Sequence, residues 1–200
     1  MKNNLVETIK TILAESDAKD SLTIEKIREA IKNSEKPDFS SMKSGERFIY
    51  RDREWIFLGM EQGGALCITS DLYGKFSFDK DCCNDWRKSS LRKELLKNFL
   101  PTLDEADLLP YEMDLTADNG DTSYGKCTDK VGILSCDLYR KYRKVVPLFK
   151  EWMWTCTPWA CSPTNAHHVR YVNSDGTLND YHAYDAYGCV PACIFTIDNH

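Results

Sequence analysis

Residues 165–187 read NAHHVRYVNSDGTLNDYHAYDAY, and no other stretch limits the fold more. More than half of these positions are Asn, Asp, His or Tyr. Three of the four histidines and four of the ten tyrosines lie here. Such side chains cannot fill a core without leaving polar groups unpaired, and each buried orphan costs free energy. The segment must therefore face water over much of its length, and the rest of the chain has to hold it. Between its polar positions runs a plain scaffold that includes Val169, Arg170, Val172, Leu178 and Ala183, and NSDG reads as a turn.

The remaining chain can supply that support. It has 200 residues with 42% hydrophobic content, which suits one domain, or one domain with a small appendage. The formal net charge of −5 argues against general nucleic-acid binding, which needs a basic stripe to neutralise phosphates. No run approaches the roughly 18 apolar residues of a membrane span. The first residues, MKNNLVETIKTILAESDAKD, lack the apolar block and cleavage site of a secretory signal. A virion or cytoplasmic location is therefore expected over secretion. The nine cysteines are then expected as reduced, mostly buried thiols.

Residues 1–40 read as a helical segment. Leu5, Val6, Ile9, Ile12 and Leu13 recur at helical spacing, as do Ile24, Ile27 and Ile31 after Ser21 or Thr23 as N-cap. The run SEKPDFSSMKSGE, with Pro37, reads as a linker. Two helices this short are expected to dock, as a cap on the main domain, in a homo-oligomer, or on a carrier protein. From Arg47 the pattern becomes β-rich. Strands are expected near 47–51, 54–60 and 65–70, with turns near Asp52 and at Gly63-Gly64. Leu91, Leu95, Leu96 and Phe99 make one face of a helix that Pro101 stops. TADNGDTSYGK reads as a loop, KVGILS as a short strand and CDLYRKYRK as a helix. The last fifty residues look like short strands with long loops. Strands, then helices, then an irregular strand region predict an α+β fold whose sheet is mostly antiparallel.

Candidate chemistry is sparse. His167, His168 and His182 invite a metal, but neighbours on a strand point to opposite faces, so no metal site is expected. Cys156 and Cys161 have four residues between them, Cys189 and Cys193 three, unlike the two of a zinc knuckle. Buried thiols are the expected state. Of Trp152, Trp154 and Trp159, two are expected in the core and Trp159 at the surface. There is no Gly-rich phosphate loop and no Gly-x-Ser-x-Gly elbow, and the acidic residues do not pair in a catalytic register. Neither a cofactor nor an enzymatic activity is expected.

Tyr, His, Asn and Asp share codons that differ only in the first base. A position that starts as Asn and has its first adenine randomised yields the other three. Changing both adenines also reaches Ser and Ala. Physically, Tyr offers a large rigid contact at low entropy cost, and the others offer adaptable hydrogen bonds, as in antibody binding loops.

The series EWIFLGMEQGGALCITSD, WRKSSLRKELLKNFL, DKVGILS, WMWTCTPWACSP and VRYVNSDGTLNDYHAYDAYGCVPACI resembles a bacterial and phage domain family. Its members carry W-T-x-T-P, then V-x-x-V-N-S-D-G-x-L, then a closing G-V-x-P-A strand. Here the last appears as Gly188-Cys189-Val190-Pro191-Ala192, which departs at the second position. The resemblance covers roughly residues 43–197. It is similar to the C-type lectin fold of variable proteins from diversity-generating retroelements, in which template-coded positions are mutated on a rigid scaffold.

The resemblance implies a C-type-lectin-like domain over 43–200, with two helices, long loops and a variable region near 154–190. Val169, Arg170, Val172, Ser174, Asp175, Gly176, Leu178, Ala183 and Gly188 would be scaffold. Asn165, His167, His168, Tyr171, Asp180, Tyr181, His182, Tyr184, Asp185 and Tyr187, with Trp159, would touch a ligand. Asn173 and Asn179 fit either role, and Ala186 fits a diversified position that drifted. Tyr171, Tyr181, Tyr184 and Tyr187 are the expected water-facing anchors. The expected partner is a protein, less readily a glycan, on a cell surface, bound without catalysis. Sugar binding does not follow, because no Glu-Pro-Asn or Gln-Pro-Asp triplet is present. The alternatives are an oxidase of the formylglycine-generating type using a cysteine pair, and a structural virion or prophage protein.

Overall fold

The computed structural model describes residues 35–162 and 164–197. The expected N-terminal helices lie outside the described residues. The fold is α+β, with twelve strands and two short α-helices among the described residues. Strand pairing is antiparallel throughout except for one parallel contact, Gly188 with Met153.

The chain opens with a meander of β1 (Arg47–Tyr50), β2 (Arg53–Glu61) and β3 (Gly64–Thr69). Its two tight turns, Arg51-Asp52 and Gln62-Gly63, each place both central residues at positive φ. That matches the right-handed twist of the flanking strands. The second turn falls one residue earlier than the sequence suggests. Gly64 starts β3 instead, where an added Cβ would run into the Phe195 carbonyl. β4 (Gly74–Ser77) follows.

Helix α1 (Ser90–Glu94) is capped by Ser89, whose hydroxyl accepts from the Arg92 N–H. It continues as a π-turn and then a 3₁₀ turn through Thr102, with Pro101 inside that last turn. Leu91, Leu95 and Phe99 are buried along one face, as their spacing predicts.

β5 (Leu108–Leu109), β6 (Tyr111–Asp114) and β7 (Lys126–Asp129) come next. The expected strand at KVGILS is not formed. Only Gly132 pairs there, exchanging both backbone hydrogen bonds with Ala192. Val131, Ile133 and Leu134 are buried all the same, so the apolar run reports burial and not pairing. Helix α2 (Cys136–Tyr142) starts at Ser135, whose hydroxyl accepts from Leu138 N–H.

The chain then adds β8 (Met153–Pro158), β9 (His168–Val172), β10 (Leu178–His182), β11 (Ala186–Cys189) and β12 (Ala192–Phe195). One sheet has the order β1-β2-β3-β12-β5, the other β10-β9-β8-β11-β4, and β6-β7 form a separate hairpin. Residues from both large sheets share one hydrophobic core. Phe195 is a hub, with ring contacts to Phe39, Phe48, Tyr50 and Trp55. Phe39 lies in the run read as a linker, yet it is buried, so that run is packed onto the domain. No helix among the described residues is long and apolar enough to cross a membrane.

Candidate functional site

The polar segment occupies one end of the second sheet. β9 and β10 form a hairpin in which His168 faces His182, Arg170 faces Asp180, and Tyr171 faces Asn179. Its turn is tied down by its own side chains. Asp175 Oδ1 accepts from the Thr177 N–H and hydroxyl, and Asn173 Nδ2 donates to Thr177 Oγ1. Gly176 sits at φ +83°, and its carbonyl accepts from the Tyr139 hydroxyl of α2. Asn173 is therefore a turn residue.

The backbone beyond β10 is equally fixed. The Ala183 N–H donates to the His167 carbonyl, and the Ala183 carbonyl accepts from Asp79 N–H. The Tyr184 carbonyl accepts from Ser77 Oγ at 2.6 Å. The loop before β9 hangs on Asn84, a fully buried residue whose amide donates to the Ala160 and His168 carbonyls. Its Oδ1 in turn accepts from Tyr124. Asn165 is half-buried in this loop, with its N–H donating to the Ser162 carbonyl.

On this pinned backbone the rings form a continuous series. Trp152 stacks on Tyr171 and meets Tyr187 edge-on. Tyr187 contacts Tyr181, Tyr181 contacts His182, and Tyr184 stacks on His182 at 5.2 Å. His182 meets His167 and His168, and His168 meets Trp159. The series turns around β10, an edge strand of its sheet. Tyr181 is 44% exposed, Tyr184 52%, and Trp152 and Trp159 each 38%.

Two expectations need correction. Tyr171 does not face water: it is 2% exposed, because it shares the buried side of β9 with Val169. Trp152 is not core. It precedes β8 and lies at the surface, leaving Trp154 as the one tryptophan of the three that is buried.

The histidines also depart from the strand argument. His167 precedes β9, so strand alternation does not separate it from His168. Ligand-capable atoms of His167, His168 and His182 all lie within 4.8 Å of one another. Partial burial, and then the neighbouring imidazoles, lower the proton affinity of His167. His168 Nδ1 bonds Asp180 Oδ2 at 2.7 Å, and Arg170 Nη1 donates to the other Asp180 oxygen at 3.2 Å. Asp118 then bridges Arg170 and Arg140. Asp180 is thus held within a charged network beneath the rings. Asp185 is half-buried, and its Oδ2 has no hydrogen-bond partner among the described residues. Its carboxylate, after burial, raises the Tyr187 hydroxyl.

The cysteines stand apart from this surface. Cys156, Cys189 and Cys193 are buried, and burial pushes their thiols well above the ordinary range. Cys161 is half-buried and shifted the same way, by burial and then by Asp121. A separate open groove of ≈ 400 Å³ lies beside α2, lined among others by Glu112, Asp114, Asp118, Asp137 and Arg140.

Sequence reasoning missed Asn84, Asp118 and Trp152. Asn84 sits in DCCNDW, which carries no periodicity that would mark a buried amide. Trp152 is separated from Trp154 by one residue, and that spacing reads as a shared buried face. Comparisons of the chain with protein-family models, curated proteins and solved structures return no match.

Proposed function

We propose that this chain is a non-catalytic binding protein whose ligand surface is the ring series from Trp152 to Trp159. In this reading the domain is C-type-lectin-like and the segment 165–187 has been diversified by a retroelement. The observation that carries it is the contrast between backbone and side chains. The main chain of 173–185 is fixed by hydrogen bonds to β4, α2 and its own turn. The side chains of Tyr181 and Tyr184 nevertheless stand in solvent. Aromatic rings on a preorganised backbone bind at low ordering cost, and Tyr and Trp dominate interface energetics. A protein surface on another cell or particle is the partner this vocabulary suits.

Tyr181, Tyr184, Tyr187, His167, His168, His182, Asp180, Asp185, Asn165 and Trp159 are the proposed contacts, with Trp152 added and Tyr171 removed. The oxidase alternative is disfavoured because a reactive cysteine needs a lowered pKa and access. Here burial acts in the opposite direction on Cys156, Cys189 and Cys193.

The surrounding DNA tests the origin of the surface. A near-copy of the coding region for 165–187, with adenines at the proposed codons and a reverse transcriptase gene beside it, is the expected finding. A genome with neither removes the retroelement reading. Binding is tested separately, by panning the folded domain against surface-displayed proteins and comparing it with a Tyr181→Ala/Tyr184→Ala variant. Capture that survives this variant unchanged places the contact elsewhere.

A further inference from the structure

Three imidazoles, two from adjacent residues and one from the neighbouring strand, converge, and the fold holds them there. His168 and His182 are direct cross-strand partners in the β9–β10 ladder. His167 is locked to the same place because its carbonyl accepts from Ala183 N–H at 2.8 Å. Their ring centroids lie 4.4 to 5.4 Å apart. The ligand-capable atoms lie within 4.8 Å of one another. Nitrogens around a tetrahedral zinc ion at ordinary bond length are about 3.3 Å apart. The difference is at most about 1.5 Å.

A second observation concerns orientation. An ionised carboxylate only accepts hydrogen bonds, so the 2.7 Å contact to Asp180 puts the proton on His168 Nδ1. In the neutral ring the lone pair is then on Nε2. A carboxylate behind a histidine in this way fixes the tautomer and raises ligand basicity in metal sites. Asp180 is itself fixed by Arg170. The Trp159 ring contacts that of His168, and the Tyr184 ring stacks on that of His182.

We propose that His167, His168 and His182 bind one late first-row divalent ion, of the zinc class, with a coordination position left open to the outer surface. Imidazole nitrogens suit zinc, nickel and copper, whereas calcium and magnesium require oxygen donors. The open position takes water or a donor atom from a bound partner. The inference stands on the histidine geometry and does not depend on diversification or on any protein ligand.

The test uses the metal alone. Protein freed of metal by a chelator is titrated with Zn²⁺ by calorimetry and with Co²⁺ by absorption. One equivalent should bind, with the bands of a nitrogen-ligated cobalt ion and no sulfur-to-cobalt charge transfer. Asp180→Asn should weaken binding about 10- to 100-fold. His168→Gln and His182→Gln should each weaken it more than Asp180→Asn does. Absence of stoichiometric binding overturns the proposal, as does a charge-transfer band from thiolates. Undiminished affinity in a His168→Gln/His182→Gln variant does so too. Should that variant fail to fold, His167→Gln decides, because the His167 ring makes no hydrogen bond among the described residues. Wild-type affinity in His167→Gln overturns the three-histidine site.

Discussion

The four tyrosines of the polar segment meet different fates: Tyr187 is half-buried, and the other three can be set against one another by measurement. Tyr181→Ala and Tyr184→Ala remove rings that stand in water, so each should change unfolding free energy by no more than about 0.5 kcal/mol. Tyr171→Ala empties a buried site stacked against Trp152, and should cost about 3 kcal/mol or more in a urea titration. Equal losses at all three would mean that the exposed rings support the fold. Their codons make all four alike, because a codon carries no information on which side of a strand a residue occupies. Alternation supplies that information: Val169 and Tyr171 share a side, and Val169 is plainly apolar. The thiols give a second residue-scale expectation. In folded protein at pH 8, Cys156, Cys189 and Cys193 should resist alkylation, and denaturant should release them. Fast labelling of any of the three in the folded state would contradict their burial.

At the scale of elements, the β9–β10 turn and the Asn84 anchor carry the polar segment. Gly176 holds φ +83°, where any side chain is strained, and the Arg143 guanidinium would have to move aside for a Cβ. Gly176→Ala should therefore cost at least about 1 kcal/mol. Asn84→Ala leaves the buried Ala160 carbonyl without its amide donor and removes the bonds to the His168 carbonyl and from the Tyr124 hydroxyl, and should cost about 2–3 kcal/mol by the same titration. The turn is also acid-sensitive. Hydrogen bonds from the Thr177 N–H and hydroxyl lower the Asp175 pKa in the folded state. Its contribution is present above the unfolded carboxylate value near 3.9 and is lost as pH falls through the folded one. Amide shifts of Thr177 followed from pH 6 to pH 2 should show this loss, and Asp175→Asn should remove the dependence. Much of this level was legible. The meander, α1 and α2 follow from alternation, turn residues and four-residue apolar spacing, which are local signals. The failed KVGILS strand was not legible, because that run is apolar for contact with the core and its partner, Ala192, lies 60 residues away. The histidine convergence was hidden for another reason: it depends on β9 beginning at His168, which leaves His167 outside the strand.

Across the whole molecule, protection should follow the buried strands. β3, β8 and β12 are buried at every position, while β10 is an edge with alternating exposure. Hydrogen exchange should be slower in the first three than in β10; the reverse order would contradict the sheet assignment. The topology itself was the least legible property, since β12 enters between β3 and β5, strands over 80 residues upstream of it. That placement has an effect on how the protein tolerates change. Translation must pass through 165–187 before the strand that completes the first sheet leaves the ribosome. A premature stop or a frameshift inside the segment deletes or scrambles Phe195, the hub of the aromatic core. Such products should fail to fold, whereas missense changes at the outward rings should be tolerated. Folding would thus act as a reading-frame filter on any change to the segment.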